Sequence, residues 1–217
     1  MERPLRAARA ATFIYFVLNG TLLGMWVVQI PAIEEQVGIS HAALGGFLVL
    51  LGAGAFLGMQ VGGRLSDRLG TRTVVPLAGI LCSVTLILPG LAQQPWVLGA
   101  ALLIFGFGNG TLDVSMNAHA VQVEKAYERP VMSAFHATFS IGGVLAALVG
   151  AAALGIGWGP AATLTAVAGP ASSSHSCPPV SSCRPPPPSP LRMPRAGPGP
   201  RSALFPPGSG SSPSWLC

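Results

Sequence analysis

Charged residues are scarce in this chain: only 9% of its 217 residues are Asp, Glu, Lys or Arg. A soluble domain carries about 25% of such residues, because its surface must remain hydrated. Half of the residues are hydrophobic, and the mean hydropathy is +0.58. The shortage of charge therefore excludes an ordinary soluble protein and predicts a protein integral to a lipid bilayer.

Acidic residues are even scarcer than basic ones, so the net charge is +5. In a soluble protein such an excess would suggest nucleic acid as a partner. Here eight of the twelve basic residues form three short clusters between apolar stretches, and the other four lie in the last 48 residues, where no acidic residue occurs. This distribution predicts no nucleic-acid-binding face.

Patterns of metal ligands and catalytic groups are also missing. Three of the four cysteines (Cys177, Cys183 and Cys217) are irregularly spaced, and no two histidines have the spacing of ligands on one helix. A membrane-embedded enzyme would need a nucleophile or a metal cluster within its spans, and a single acidic residue with scattered histidines supplies neither. We therefore expect no metal, no cofactor and no enzymatic activity.

Long stretches without any charged residue predict an all-α membrane protein. A helix crosses the hydrocarbon layer with about 20 apolar residues. The stretch at residues 73–112 is twice that length, so it holds two helices, divided before Pro95, which suits the first turn of a helix. The five predicted transmembrane helices are residues 11–33, 41–63, 73–91, 96–119 and 133–157.

The basic clusters predict the orientation of these spans. They precede the first span, follow the second and follow the fourth, so all of them lie on one side, which the positive-inside rule assigns to the cytoplasm. We therefore expect residues 1–10 to be a cytoplasmic amino terminus and the protein to lie in the plasma (cell inner) membrane. The first apolar run is too long for a cleavable signal peptide. The residues concerned are Arg3, Arg6, Arg9, Arg64, Arg68, Arg72, Lys125 and Arg129.

The composition changes near residue 169. Residues 161–168 (AATLTAVA) look like the beginning of a sixth span that is not completed, and fourteen of the 21 prolines follow between residues 170 and 217. Such a segment cannot bury a core, so we expect residues 169–217 to be disordered. A genuine flexible tail and a linker both fit this composition. We favour a third interpretation, in which the tail comes from translation in a shifted reading frame or from a truncated coding sequence.

The segment GGRLSDRLGTR joins the second and third predicted spans and contains an ordered set of residues. Gly63, Asp67, Arg68, Gly70 and Arg72 follow the spacing G-x-x-x-D-R-x-G-x-R. An ordinary basic cytoplasmic loop would explain the arginines but not the placed Gly and Asp. The segment resembles the signature loop between the second and third helices of the major facilitator superfamily of secondary transporters. The resemblance implies a twelve-helix fold, of which this chain is the amino-terminal half, and a loop that gates the cytoplasmic side.

Asp113 is the only acidic residue inside any predicted span. At about 100° per residue, it shares an arc of roughly 100° on the fourth helix with Gly106, Asn109, Gly110 and Asn117. Facing lipid, this arc would leave a carboxyl and two amides unsatisfied, so we expect it to face the bundle interior or a water-filled cavity. Asp113 is then either a substrate or proton site, or a protonated carboxyl bonded to a neighbouring helix.

His136, early in the fifth span, is the other ionisable candidate near this level of the membrane. It is either a hydrogen-bond partner lining the pore or an interfacial residue, and the sequence leaves both open. His41 and His119 lie at the ends of predicted spans, and we expect them to be interfacial.

The stretches LDVSMNAHAVQVE and SAFHATFSIGG resemble the fourth and fifth spans of the fucose-permease-like branch of the superfamily, which contains proton-coupled sugar symporters. Leu112, Asp113 and Asn117 match its Leu-acid-x-x-x-Asn pattern, whose carboxylate takes part in proton coupling. The branch also carries an acidic residue a turn before a Pro in the first span, and Val27 stands in that place before Pro31. Drug antiporters carry an Arg in the fourth span and a Gly-Pro pair in the fifth, and this chain has neither.

The residues and the resemblance together lead to an expected function. We expect a transporter of small polar solutes, of which sugars are one class, coupled to protons as a symporter, with the lipid bilayer and a missing carboxy-terminal half as partners. Asp113, Asn109, Asn117 and His136 are the expected coupling and substrate residues. The alternatives are a truncated membrane protein without transport and a proton-coupled efflux antiporter.

Overall fold

The computed structural model describes residues 2–173, with side chains described for residues 5–169. This range contains helices and no strand, which confirms the all-α class. The seven helices are α1 (Glu2–Val37), α2 (His41–Leu69), α3 (Thr71–Thr85), α4 (Ile87–Leu91), α5 (Pro95–Tyr127), α6 (Met132–Gly155) and α7 (Pro160–Ser173).

Five helical segments in the described range are long and apolar enough to cross a membrane, as the sequence predicts. α3 and α4 together form the third of them, Thr71–Leu91. Pro89 cannot donate a backbone hydrogen bond to the preceding turn, and this accounts for the interruption at Leu86 between α3 and α4. The third segment therefore crosses as two stacked helical pieces.

The helices extend beyond the predicted spans because nothing in the sequence ends them at the edge of the hydrocarbon layer. α1 continues to Val37, where Gly38 takes a φ of 72°, and α2 continues to Leu69, where Gly70 takes a φ of 82°. These left-handed conformations favour glycine and stop a helix. The helix ends are therefore set by two glycines rather than by hydropathy.

The bundle is held by close backbone contacts at glycines, chiefly between α2 and α5 and between α1 and α6. A Cβ added to Gly54 or Gly58 of α2 would overlap the carbonyl oxygens of Leu103 and Phe107 on α5. On α5, Gly110 meets the carbonyl of Ala55 in the same way. Small residues permit such approaches where lipid provides no hydrophobic drive for association. α5 also packs on α3 and α1, so it is the central helix of the described bundle.

Contacts between the helix termini bring the basic clusters to one end of the bundle. The Arg9 guanidinium on α1 lies over the Tyr127 ring at the end of α5, 4.9 Å from its centroid. Thr71, at the start of α3, hydrogen-bonds His119 near the same end of α5. At the opposite end, the Glu34 Oε1 atom lies 2.8 Å from His41 Nδ1. The charge asymmetry inferred from the sequence is thus present in the folded bundle.

The segment at residues 161–168 lies within α7, which packs against α3 and α4. An added Cβ at Gly90 of α4 would come within 3.0 Å of Ala161 Cα, so the two backbones touch. Of the tail expected at residues 169–217, all but the last residues of α7 lies outside the described residues, and its disorder and its reading frame remain predictions.

We predict that Gly58→Ala destabilises the bundle, because the new methyl group would collide with the Phe107 carbonyl. Overpacking of this kind costs about 1–3 kcal/mol, so the midpoint of thermal unfolding in detergent should fall clearly. Gly52→Ala is the matched control on the same helix, because an added Cβ there meets nothing within 4 Å. Equal midpoints for the two variants would show that the α2–α5 contact is looser than described.

Candidate functional site

The segment containing Gly63, Asp67, Arg68, Gly70 and Arg72 is more helical than expected. Its first seven residues, 63–69, continue α2, Gly70 alone makes the connection, and residues 71 and 72 already belong to α3. Asp67, Arg68 and Gly70 are exposed, whereas Gly63 is half-buried. We call residues 63–72 the gating segment. Its carboxylate and arginines are presented to the surroundings at the end of the bundle that carries the basic clusters.

Two residues of the gating segment, Ser66 and Thr71, are buried, and the sequence pattern singled out neither. Thr71 is 3% exposed, and its hydroxyl lies 3.0 Å from His119 Nδ1 and 3.2 Å from Gln122 Oε1. His119 was expected to be interfacial, yet it joins the start of α3 to the end of α5. Only the polar character of the three residues could have signalled the contact, because Thr71 is 48 positions from His119 and 51 from Gln122 in the chain.

The glycines and the polar residues of the α5 arc make different contacts. Gly106 and Gly110 pack against the α2 backbone at Leu51 and Ala55. Asn109, Asp113 and Asn117 are half-buried, as expected of side chains that avoid lipid. The glycines therefore seat α5 on α2, and the polar side chains are left for contacts with other helices and with the open side of the bundle.

Asn109 is engaged by its neighbours within the bundle. Its Nδ2 donates to Asn19 Oδ1 on α1 at 2.9 Å. Asn19 is 1% exposed. Asn19 was not predicted as a site residue, because isolated amides such as Asn19 and Gln29 among the apolar residues of the first span give no periodic signal. Asn109 thus links α1 and α5 one turn before Asp113.

Asp113 is held by its own helix. Asn117 Nδ2 lies 3.3 Å from Asp113 Oδ1 and 2.9 Å from the Asp113 carbonyl oxygen. The carboxyl also interacts electrostatically with His136 of α6. Asn117 and His136 therefore both interact with Asp113, whereas Asn109 is hydrogen-bonded to Asn19 of α1.

His136 is exposed, and its ring packs edge-on against Phe16 of α1, with centroids 5.2 Å apart at an interplanar angle of 89°. Val27 lies about three turns after Phe16 on α1 and is 55% exposed. An acidic residue at Val27 would stand on an open surface, but this chain has an apolar one there. The open side of α1, α5 and α6 thus carries one carboxyl, one imidazole and several apolar groups.

These groups can exchange protons and form hydrogen bonds, and they do not suggest a metal centre. Among the residues that the structure describes, no three His, Cys, Asp or Glu side chains lie close enough to hold a metal ion. A carboxyl beside an imidazole and an amide can take up and release a proton and can bind a hydroxyl or amide of a solute.

Comparisons with known proteins agree with the helical arrangement. The model of the Major Facilitator Superfamily matches residues 11–204. An uncharacterized transporter of Sinorhizobium fredii is 43% identical over 135 residues, covering 62% of this chain and 36% of that protein. An uncharacterized MFS-type transporter of Yersinia pestis is 36% identical over 165 residues, covering 76% of this chain and 42% of that protein.

A gentisate transporter of Corynebacterium glutamicum is 34% identical over 142 residues, covering 64% of this chain and 30% of that protein. The chain spans less than half the length of these curated relatives. No solved structure gives a significant match.

We predict that Asn19 and Asn109 are energetically coupled. Asn19→Leu leaves the Asn109 amide without its partner on α1, at a cost of about 1 kcal/mol in unfolding free energy. Asn109→Leu should cost a similar amount, and the double variant should cost less than the sum of the two. Unfolding in mixed micelles measures all three variants.

Asn117→Leu is the control for this cycle, because the hydrogen bonds of Asn117 remain within α5. Combined with Asn19→Leu, it should behave additively. Additive behaviour of the Asn19 and Asn109 substitutions as well would contradict the cross-helix hydrogen bond.

Proposed function

Because this chain belongs to the major facilitator superfamily, we propose that it supplies the amino-terminal helices of a proton-coupled transporter of small polar solutes. Its similarity to transporters supports membrane transport as the general function. The solute, the coupling to protons and the direction of transport are our proposal. Sugar-like neutral solutes suit a surface whose polar groups are amides, one carboxyl and one imidazole.

The observation that carries the proposal is the position of Asp113. It is the only acidic residue inside the predicted spans, and it is half-buried beside Asn117 and within electrostatic reach of His136. Ionisable groups at membrane depth are costly, and they commonly mark substrate or ion pathways. A carboxyl serving packing alone would be replaceable by an amide, which offers hydrogen bonds without a charge.

The proposed cycle uses the difference between a dry and a wet environment. When the site is closed to water, the neutral carboxyl costs less to bury than the carboxylate. When the site opens to water, hydration favours the carboxylate, and the proton leaves. Asn117 stays bonded to the carboxyl in both forms, because its amide can donate to either.

The solute site needs a second bundle. Alternating access in this superfamily moves two repeated bundles about a site between them. Since the chain spans less than half of its curated relatives, we propose that another bundle covers the open side of α1, α5 and α6. In that assembly Asp67 and the arginines of the gating segment would meet the other bundle and hold the gate closed. We place this end of the bundle in the cytoplasm on the positive-inside rule.

Carbodiimide labelling of the chain in native vesicles tests whether Asp113 is a proton site. An apolar carbodiimide adds to a protonated carboxyl within the membrane, whereas an ionised carboxylate in water reacts poorly. We predict that mass spectrometry finds the label on Asp113, with far less on the exposed carboxylates of Asp67 and Glu35. The reason is that a membrane-embedded carboxyl is the one that spends time protonated in apolar surroundings.

Asp113→Asn removes the reactive group and should abolish labelling of that peptide, while labelling elsewhere stays unchanged. A peptide around Asp113 that remains unlabelled in the parent chain, at reagent levels that label other membrane carboxyls, would count against a proton site.

A further inference from the structure

The buried contact at Thr71 has a defined direction of hydrogen bonding. A hydroxyl has one proton, and the Thr71 hydroxyl donates it to Gln122 Oε1 at 3.2 Å. The same hydroxyl lies 3.0 Å from His119 Nδ1, so it contacts two side chains of α5. Thr71 of α3 is therefore hydrogen-bonded to two residues of α5, His119 and Gln122.

This contact lies where the chain passes from α2 to α3. Gly70 alone separates the two helices, and Thr71 is the first residue of α3. A single-residue connection has little freedom to absorb movement, so fixing Thr71 fixes the gating segment.

The same end of α5 also holds two other helices. Glu124 Oε2 accepts hydrogen bonds from the backbone N–H groups of Val131 and Met132 at 2.8 and 2.7 Å, which secures the start of α6. Tyr127 receives the Arg9 guanidinium of α1. The last turns of α5 therefore contact the starts of α1, α3 and α6. α5 cannot shift without moving or breaking these contacts.

Asp113 lies on the same helix, six residues before His119, which is about 9 Å along the axis. We propose that the Thr71–His119–Gln122 contact transmits a displacement of α5 at Asp113 to the gating segment, which makes His119 a positioning residue for the gate. The inference rests on the proposed role of Asp113. It adds the physical connection between the coupling carboxyl and the gating segment, which the motif spacing does not contain.

The test uses the 217-residue chain in vesicles, with its native cysteines replaced and one reporter cysteine introduced at Leu69. Leu69 lies in the gating segment and is 55% exposed. The measured quantity is the rate at which a water-soluble maleimide modifies Leu69→Cys. Asp113→Asn, which mimics the protonated carboxyl, should change this rate by roughly threefold or more if α5 moves the segment. In the Thr71→Val background the same substitution should leave the rate unchanged.

Two variants keep the test independent of general destabilisation. Thr71→Ser retains the hydroxyl and should preserve the response to Asp113→Asn, as should His119→Asn, which retains a hydrogen-bonding group near the Nδ1 position. Thr73→Val is the matched control, because Thr73 is an exposed threonine two positions further on α3. It should leave the response intact. If Thr71 served only the stability of the bundle, Thr71→Val would change the basal maleimide rate but would not remove the response to Asp113→Asn.

A response to Asp113→Asn that survives Thr71→Val would overturn the proposal, and so would the absence of any response in the parent chain. Carbodiimide labelling keeps this failure separate from that of the proposed function. If carbodiimide labels Asp113 but Leu69→Cys shows no response, only the mechanical connection is refuted. If carbodiimide does not label Asp113 in the parent chain, the proton site is refuted.

Discussion

The close backbone contact between α2 and α5 is the constraint on which the rest of the bundle depends. In a bilayer, helices gain little by leaving lipid, so packing at small residues decides which faces meet. Gly54 and Gly58 on α2 face α5 carbonyls, and Gly106 and Gly110 on α5 face α2. This contact fixes the rotation of α5 about its own axis. It thereby directs Asn109 to α1 and leaves Asp113 at the partly open side.

The central position of α5 connects packing with the proposed chemistry. Its middle carries Asp113 and Asn117, and its last turns hold the starts of three other helices through Thr71, Glu124 and Tyr127. A helix with this set of contacts can respond to a change of charge in its middle only by moving its neighbours or breaking hydrogen bonds to them. The proposed transport cycle needs such a connection, because Asp113 and the gating segment lie at different positions along the bundle.

Much of the fold could be predicted from the sequence, because hydropathy and the scarcity of charge act locally. The five membrane-crossing segments and the all-α class are of this kind. The helical state of the gating segment was not predicted, since exposed polar residues are equally compatible with a loop until Gly70 is known to be the only break. The Asn19–Asn109 pair was also missed, because a contact across 90 positions leaves no pattern in one sequence. The role of Asp113 was predicted from its isolation in an apolar span and stays a prediction.

The most direct measurement of the central claim compares two kinds of solute movement in one assembled transporter. The chain, co-expressed with the carboxy-terminal bundle of a relative, would be reconstituted in liposomes with and without Asp113→Asn. Asn keeps the shape and the hydrogen bonds of Asp113 but cannot exchange a proton. The account predicts that the variant retains solute exchange down to equilibrium and loses accumulation driven by a proton gradient. Gradient-driven accumulation at the parent level in the variant would contradict it and leave Asp113 as a packing residue.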